Sequence, residues 1–225
     1  MPAHLRPTAP VAADAILVGD PGRALLLAQE LLEQPKMSNH ARGLWGYSGC
    51  TAAGAELTIQ STGMGAPSAA AVIADLAELG VRRAVRVGTC TAAGGRARRG
   101  ELLLVAEAVA AEGSAAAFSV AAGTAVGSDP VLLDRLRREL GPDARAARVT
   151  SLDAMPADAG RVPADVAAAD MQTVAVLARG RALGMAIAAV LIVCEGTEGE
   201  AMDGEDLERA AKRAGKAASA ALSKP

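Results

Sequence analysis

The stretch Ala84-Val85-Arg86-Val87-Gly88-Thr89-Cys90 decides the fold, because it places a permanent charge inside an apolar segment. The apolar residues predict a buried strand, and Gly88 and Thr89 mark the point where that strand ends in a turn. Arginine can bind phosphate through two parallel hydrogen bonds, and the hydroxyl of Thr89 offers another donor. The stretch therefore predicts an anion-binding strand end.

A buried Arg86 needs a partner, since an unpaired charge in the interior costs several kcal/mol. Two partners fit. A carboxylate of the same fold would make a structural ion pair at the sheet edge, and a bound anion would make a ligand site. The stretch alone leaves both open.

The rest of the chain alternates strand and helix patterns. Strands are predicted at 15–18, 57–60, 100–105 and 185–194, with a hairpin within 39–49 and a strand end at 149–151, and helices at 24–33, 69–79, 129–140, 170–183 and 204–222. Alternation of this kind predicts an α/β fold, a three-layer α/β/α sandwich around a central mixed sheet. Sites in such folds lie at strand ends, where Gly19, Gly63, Gly88 and Glu195 fall.

Composition bounds the class of protein. A chain of 225 residues with 51% hydrophobic and 21% charged residues predicts one folded domain over 1–225. A net charge of -2 gives no electrostatic case for nucleic acid or an anionic membrane. With one Trp, one Tyr and one Phe, a cluster of stacking rings is excluded as the basis of a binding site.

The cysteines and the N-terminus indicate the compartment. Cys50, Cys90 and Cys194 are widely spaced in apolar sequence, which predicts reduced core thiols and neither a disulfide nor a zinc framework. The first ten residues lack a signal-peptide core, and no run reaches the roughly 18 apolar residues of a membrane span. We expect a soluble, cytoplasmic protein.

Two further turns join a strand to a helix. Gly19 and Arg23 lie where a helix begins, and helix N-termini favour anions. Two glycines flank Met64, which either lets the backbone approach a ligand or simply makes a tight turn with a core methionine. Each signal is weak alone.

Together these segments resemble the family of purine nucleoside and uridine phosphorylases, particularly its hexameric bacterial purine branch. The matching segments, in the order of that family, are Gly19-Asp20-Pro21-Gly22-Arg23-Ala24, Asn39 through Arg42-Gly43 and Gly49, Gly63-Met64-Gly65-Ala66-Pro67-Ser68, and Arg86-Val87-Gly88-Thr89-Cys90. The resemblance spans residues 3 to about 193.

The resemblance implies a role for each matching residue. Phosphate would be bound by Gly19, Arg23, Arg86 and Thr89, with Arg42 reaching in from a neighbouring subunit; His4 would also cross the interface, to the ribose 5′-hydroxyl; and Met64, Asp170, Met171 and Gln172 would contact the nucleoside. It also implies phosphorolysis without metal or cofactor, inorganic phosphate being the co-substrate, in a homo-oligomer, a hexamer built as a trimer of dimers. For His4, a surface histidine on a mobile tail is the plain alternative.

Two segments depart from the family pattern. The family's ribose clamp is Glu-Met-Glu, whereas this chain has Asp170-Met171-Gln172, and a neutral amide binds a hydroxyl less strongly than a carboxylate. After the strand ending at 194, the purine branch has Ser-Asp, whose Asp protonates the leaving base. Here that position falls on Glu195 or Gly196, and Glu195 is either a substitute acid or a solvated loop residue.

The leading hypothesis is therefore phosphorolysis of a nucleoside, purine rather than pyrimidine, with Arg86 and Glu195 as catalytic residues. Uridine phosphorylase and nucleosidase activities are alternatives within the same superfamily, although nucleosidases lack the full set of phosphate-binding arginines. A non-catalytic binding protein is the alternative from another class. A dinucleotide-binding domain is disfavoured because no G-x-G-x-x-G follows the first strand.

Overall fold

The computed structural model describes residues 2–111, 120–154 and 162–224. The strands within them are β1 Asp14–Val18, β2 Glu33–Asn39, β3 Gly46–Cys50, β4 Glu56–Ser61, β5 Arg83–Ala92, β6 Leu102–Ala110, β7 Ala125–Gly127, β8 Ala144–Ser151, β9 Ala168–Asp170 and β10 Ala186–Glu195. The helices are α1 Pro21–Leu31, α2 Gly65–Glu78, α3 Pro130–Leu140, α4 Thr173–Ala182 and α5 Gly204–Leu222. None of these helices is long and apolar enough to cross a membrane.

The strands form one mixed sheet with β5 at its centre. Its order among the described residues is β10-β6-β8-β9-β5-β1-β4-β3-β2, and β10 also pairs with β5, so that this half of the sheet curls back on itself. Strand β5 runs parallel to β1 and β10 and antiparallel to β9. Strand β1 therefore pairs with β5 as far as Arg86, and β9 and β10 lie beside the second half of β5, which contains Gly88 and Thr89. Strand β5 continues through both residues to Ala92, so the prediction that it ends in a turn at Gly88 and Thr89 is wrong.

Helices cover both faces of the sheet. In β1, Ala15 and Leu17 pack toward α2 and α4, whereas Ile16 and Val18 pack toward α1, α3 and α5. The alternation follows from the two-residue period of a strand, and it makes two hydrophobic cores on either side of one sheet. The predicted three-layer α/β/α architecture with a mixed sheet is confirmed.

Some boundaries differ from those predicted. Helix α1 begins at Pro21, because Asp20 caps it by accepting a hydrogen bond from the Arg23 backbone N–H and proline fits the first turn. It ends at Leu31, so the predicted helix to 33 is wrong. Residue 33 is the first residue of the edge strand β2. The first five residues of this strand are partly or fully exposed, so its sequence lacks the alternation of apolar and polar residues that predicts a strand.

Candidate active site

A cavity of about 410 Å³ opens at the carboxyl ends of β1, β5 and β10. The structure brings together in its wall nearly all the residues predicted for the site: Gly19, Arg23, Met64, Arg86, Thr89, Asp170, Met171, Gln172 and Glu195. His4 and Arg42 do not line it. The strand-end location is the one that α/β topology dictates.

Arg86 is paired within the fold. Its Nη2 donates to Asp170 Oδ2 at 2.9 Å, Nη1 to Gln172 Oε1 at 2.8 Å, and Nε to Thr173 Oγ1 at 3.1 Å. Only 4% of the Arg86 side chain and 1% of that of Asp170 are exposed. A carboxylate of the same fold is therefore the partner, and a guanidinium with five N–H donors still has two for a ligand.

Asp170 is saturated by groups of the protein. Besides Arg86, its carboxylate accepts from Ser151 Oγ at 2.5 Å, from Thr173 Oγ1 at 2.6 Å and from the Thr173 backbone N–H. Asp170 thereby fixes both the guanidinium and the first residue of α4. Ser151 and Thr173 were not foreseen from the sequence, because isolated hydroxyl residues carry no pattern of their own.

Gln172 has its whole amide group engaged. The oxygen Oε1 accepts from Arg86 and, at 3.0 Å, from Thr62 Oγ1. The nitrogen Nε2 donates to the carbonyl oxygens of Gly63 at 2.7 Å and Gly65 at 3.2 Å. A carboxylate could make neither of the last two bonds, so glutamine at this position ties the Met64 turn to the arginine network.

Two glycines make this arrangement possible. A Cβ on Gly88 would lie 2.7 Å from Arg86 Nη2, so only glycine lets the guanidinium lie across the strand. Gly63 has φ +72°, in the region that favours glycine, and begins the turn that carries Met64. Met64 itself is 78% exposed at the mouth of the cavity.

Arg23 is the second cation of the cavity, and it has no ion pair within the described residues. It lies in the first turn of α1, partly buried. Burial lowers the pKa of its guanidinium, the proximity of Arg86 acts in the same direction, and Asp20 opposes both. The unpaired Arg23 at the N-terminus of α1 and the neighbouring Arg86 of β5 have the charge and the N–H donors that an anion requires.

Cys194 lines the cavity between Thr89 and Arg23, a placement that the sequence did not reveal. Burial raises the pKa of the Cys194 thiol, although the Thr89 hydroxyl and the Arg23 guanidinium act against that rise. Burial also raises the pKa of Cys90 well above its usual value. All three cysteines are free, but Cys50 is exposed, so the prediction of core thiols is wrong for that residue.

Glu195 lines the same cavity as Arg23. Its Oε2 accepts a hydrogen bond from Thr91 Oγ1 at 3.0 Å, across a register shift that separates Glu195 from Val193 in the pairing with β5. A second cavity of about 440 Å³ continues from Thr91, Ala169 and Glu195 along the 196–199 loop, and no aromatic side chain is among its described lining residues. Glu195 borders both spaces and carries a carboxyl group, whereas Gly196 has no side chain, so of the two positions only Glu195 is a candidate proton donor.

His4 and Arg42 lie outside both cavities of this copy of the chain. The imidazole of His4 is 39% exposed, and its Nδ1 lies 3.6 Å from Asp75 Oδ1. Arg42 is exposed in the 3-10 turn Ala41–Gly43, with φ 59°. Among the described residues, no group of three or more His, Cys, Asp or Glu side chains is placed to hold a metal ion.

Comparison with known proteins gives the family. A family model described as "Phosphorylase superfamily" matches residues 14–223. DeoD-type purine nucleoside phosphorylases are 45% identical over 82 residues in Oceanobacillus iheyensis and 38% identical over 92 residues in Clostridium beijerinckii. The first of these alignments covers 36% of this chain and 34% of the relative, so the chain matches about a third of the length of such relatives.

Solved structures extend the similarity to the whole fold. Uridine phosphorylase from Vibrio fischeri ES114 matches with a TM-score of 0.81 at 22% identity, covering 96% of this chain and 93% of its own. Purine nucleoside phosphorylase from Toxoplasma gondii, in complex with immucillin-H, matches with a TM-score of 0.81 at 20% identity, covering 94% and 91%. At such identities the likeness concerns the fold. The chain belongs to the phosphorylase superfamily.

Proposed function

We propose that the protein is a nucleoside phosphorylase that cleaves the N-glycosidic bond of a purine nucleoside to the free base and ribose 1-phosphate. The observation that carries the proposal is the arrangement of charge along one cavity. The unpaired Arg23 and the fixed Arg86 line the same cavity as the side chain of Glu195, which also borders the second cavity. Met64 and Met171 line the first cavity too, and there a sugar would lie.

The reaction follows from this arrangement. Phosphate bound by Gly19, Arg23, Arg86 and Thr89 has its charge balanced and one oxygen held against C1′ of the sugar. The phosphate O–C1′ bond forms as the C1′–N bond breaks, and the bonding electron pair leaves with the base. Glu195, in its carboxylic acid form, gives that base a proton and is left as a carboxylate. Phosphate is the co-substrate, and none of these steps uses a metal or cofactor.

Fewer polar atoms are free to bind sugar hydroxyls than the resemblance implies. Asp170 and Gln172 border the sugar space, but their polar atoms already bond within the protein. A sugar hydroxyl that reaches Gln172 must therefore displace one of those bonds. We propose that Met64 and Met171 supply most of the sugar contact and that Asp170 and Gln172 act mainly through Arg86 and the Met64 turn.

The assembly completes the site. Arg42 is exposed and without an ion pair among the described residues, and His4 is outside the cavity, so we propose that both serve a neighbouring copy, in a hexamer made as a trimer of dimers. A cytoplasmic role in purine nucleoside catabolism and salvage fits this chemistry, without nucleic-acid or membrane partners.

Base release from a panel of purine and pyrimidine nucleosides tests the proposal. We expect release from at least one purine nucleoside only when inorganic phosphate is present. Release without phosphate would make the protein a nucleosidase, and release from uridine alone would make it a uridine phosphorylase. Binding of phosphate or nucleoside without release would make it a binding protein.

Glu195→Gln tests the proton donor. The amide keeps a hydrogen bond to Thr91 within reach but has no acidic proton, so kcat is expected to fall about 100-fold or more while the KM for phosphate stays within about twofold. Steady-state kinetics would measure both. Glu198→Gln, in the same loop but outside both cavities, is the control. Equal kcat values for the two variants would mean that Glu195 is a solvated loop residue and not the proton donor.

A further inference from the structure

We propose that Asn39 is a positioning residue that holds the N-terminal arm and the Arg42 turn as one unit, so that both reach the cavity of a neighbouring copy together. The proposal rests on the proposed function, which assigns His4 and Arg42 to that neighbouring cavity. Asn39 itself would touch neither substrate.

The Arg42 turn is held in an uncommon conformation. Arg42 has φ 59°, and Gly43 follows at φ 70°, so two successive residues are left-handed. A non-glycine residue stays in that region only where its surroundings enforce it, and such positions concentrate at functional sites. The exposed side chain of Arg42 therefore lies on a turn of defined shape.

The N-terminal arm is anchored as firmly. The buried carboxylate of Asp75, in α2, accepts hydrogen bonds from the backbone N–H groups of Ala3, His4 and Leu5 at 3.1, 2.6 and 2.7 Å. Burial raises the pKa of Asp75, but these three bonds, with the imidazole of His4 near the same carboxylate, outweigh it and the net shift is downward. His4 is therefore set in place by its backbone and is not on a loose tail.

Asn39 joins the two segments. It ends the edge strand β2, and its side chain lies between the arm and the turn. Its Oδ1 accepts from the Arg6 backbone N–H at 2.8 Å, and its Nδ2 donates to the carbonyl oxygens of Leu44 at 2.5 Å and Ala41 at 3.4 Å. Asn39 is only 2% exposed. One buried amide thus binds Arg6, two residues after His4, and also binds the carbonyl oxygens of Ala41 and Leu44, which flank Arg42 in the chain.

The oxygen of the Asn39 amide binds the arm and its nitrogen binds the turn, so substitutions can test the two contacts separately. Asn39→Asp keeps the acceptor for Arg6 but turns an oxygen toward the Leu44 and Ala41 carbonyls, so it should loosen the turn alone. Asn39→Ala removes both halves. Thr8→Ala is the control, because it removes an exposed side-chain bond from the same arm to Met37 O and leaves Asn39 untouched.

Steady-state kinetics should split accordingly. If Arg42 meets phosphate, Asn39→Asp should raise the KM for phosphate about tenfold by lowering the fraction of turns in the competent shape, with the nucleoside KM within about twofold. Asn39→Ala should raise both, and Thr8→Ala neither. Circular dichroism and the mass of the assembly show whether each variant is folded and assembled. If Asn39→Asp, which buries a carboxylate, is not, the comparison of Asn39→Ala with Thr8→Ala carries the test; if Asn39→Ala is not, Asn39→Asp carries it.

Mixed assemblies test whether Asn39 acts on a neighbour. A chain with Arg23→Ala has a defective cavity but an intact arm and turn, whereas a chain with Asn39→Ala has the reverse. Co-expressed with different affinity tags and isolated through both tags, the mixed assemblies should regain activity that neither variant has alone, up to about half of the wild-type sites where every pair is mixed, because each mixed pair contains one intact cavity served by one intact unit.

The outcomes separate this proposal from the function on which it rests. A wild-type protein that releases no base from any nucleoside overturns the proposed function and this inference with it. An active wild type in which Asn39→Asp raises both KM values equally, or neither, overturns the role of Asn39 alone. An absence of recovery in the mixed pairs also overturns it, because Asn39 would then act within its own chain.

Discussion

Replacement of Arg23 by alanine is expected to raise the KM for phosphate between about 10- and 100-fold while leaving the folded protein as stable as before or more so. A hydrogen bond to a charged group contributes about 1.5–3 kcal/mol, and the unpaired Arg23 has no other use for its donors among the described residues. Burial and the proximity of Arg86 both lower the pKa of its guanidinium, so the charged form is disfavoured at this position and its removal should not destabilise the folded protein.

Thermal unfolding with and without phosphate separates the two effects. An anion bound only by the folded state stabilises it by about 2.7 kcal/mol at 100 times its Kd. The wild type should show a rise in Tm with phosphate, and Arg23→Ala should lose that rise without a lower starting Tm. Arg138→Ala, an exposed arginine on α3, is the control. A variant that keeps both the phosphate-induced rise and the wild-type KM would place the anion elsewhere.

The sequence predicts the fold well wherever a segment is apolar throughout. Strands β5 and β10 are buried on both faces, and such runs differ plainly from helices with a polar side. Strand β2 was missed because it lies at the sheet edge, and the short strands β7 and β9 because three residues carry no period. Edge and short strands form through pairing with strands distant in sequence.

The sequence predicts which residues line the candidate site but not which hydrogen bonds they make. Residues at strand ends, such as Gly19, Thr89 and Glu195, come together because parallel strands end at one edge. Whether a side chain faces the cavity with free polar atoms depends on partners that no local pattern gives. Gln172 shows this, since its amide meets Thr62 from β4's end and Gly63 from the following turn.

The partner of the buried Arg86 is a second feature that the sequence does not give. The sequence required a partner for this buried cation and left a carboxylate and a bound anion as alternatives. Asp170, 84 residues away in the chain, is the partner. The ligand role is compatible with that ion pair, because two N–H donors of the guanidinium remain, but the geometry also gives Arg86 a structural role.

Arg86→Ala is therefore expected to cost stability as well as activity. Removing one partner of a buried ion pair leaves the other charge uncompensated, at about 3–5 kcal/mol, a large share of the 5–15 kcal/mol by which folded domains are stable. The carboxylate of Asp170 would be left at 1% exposure with only neutral donors. Phosphate dependence and most of the turnover should disappear in the same variant.

Urea unfolding against a matched arginine on the same strand measures the stability part. Arg83 also holds an aspartate by two hydrogen bonds, to Asp14, and it donates to the carbonyl oxygens of Leu222 and Lys224 as well. Because 32% of its side chain is exposed, its ion pair contributes about 1 kcal/mol or less, and Arg83→Ala should cost less stability than Arg86→Ala. If Arg86→Ala does not fold, Asp170→Asn removes the charge and keeps the shape, and its unfolding midpoint should still fall well below that of Arg83→Ala. Equal losses of stability for the two arginine variants would mean that the buried Arg86–Asp170 pair stabilises the fold no more than an exposed ion pair does. An Arg86→Ala protein with wild-type turnover would show that Arg23 alone binds the anion.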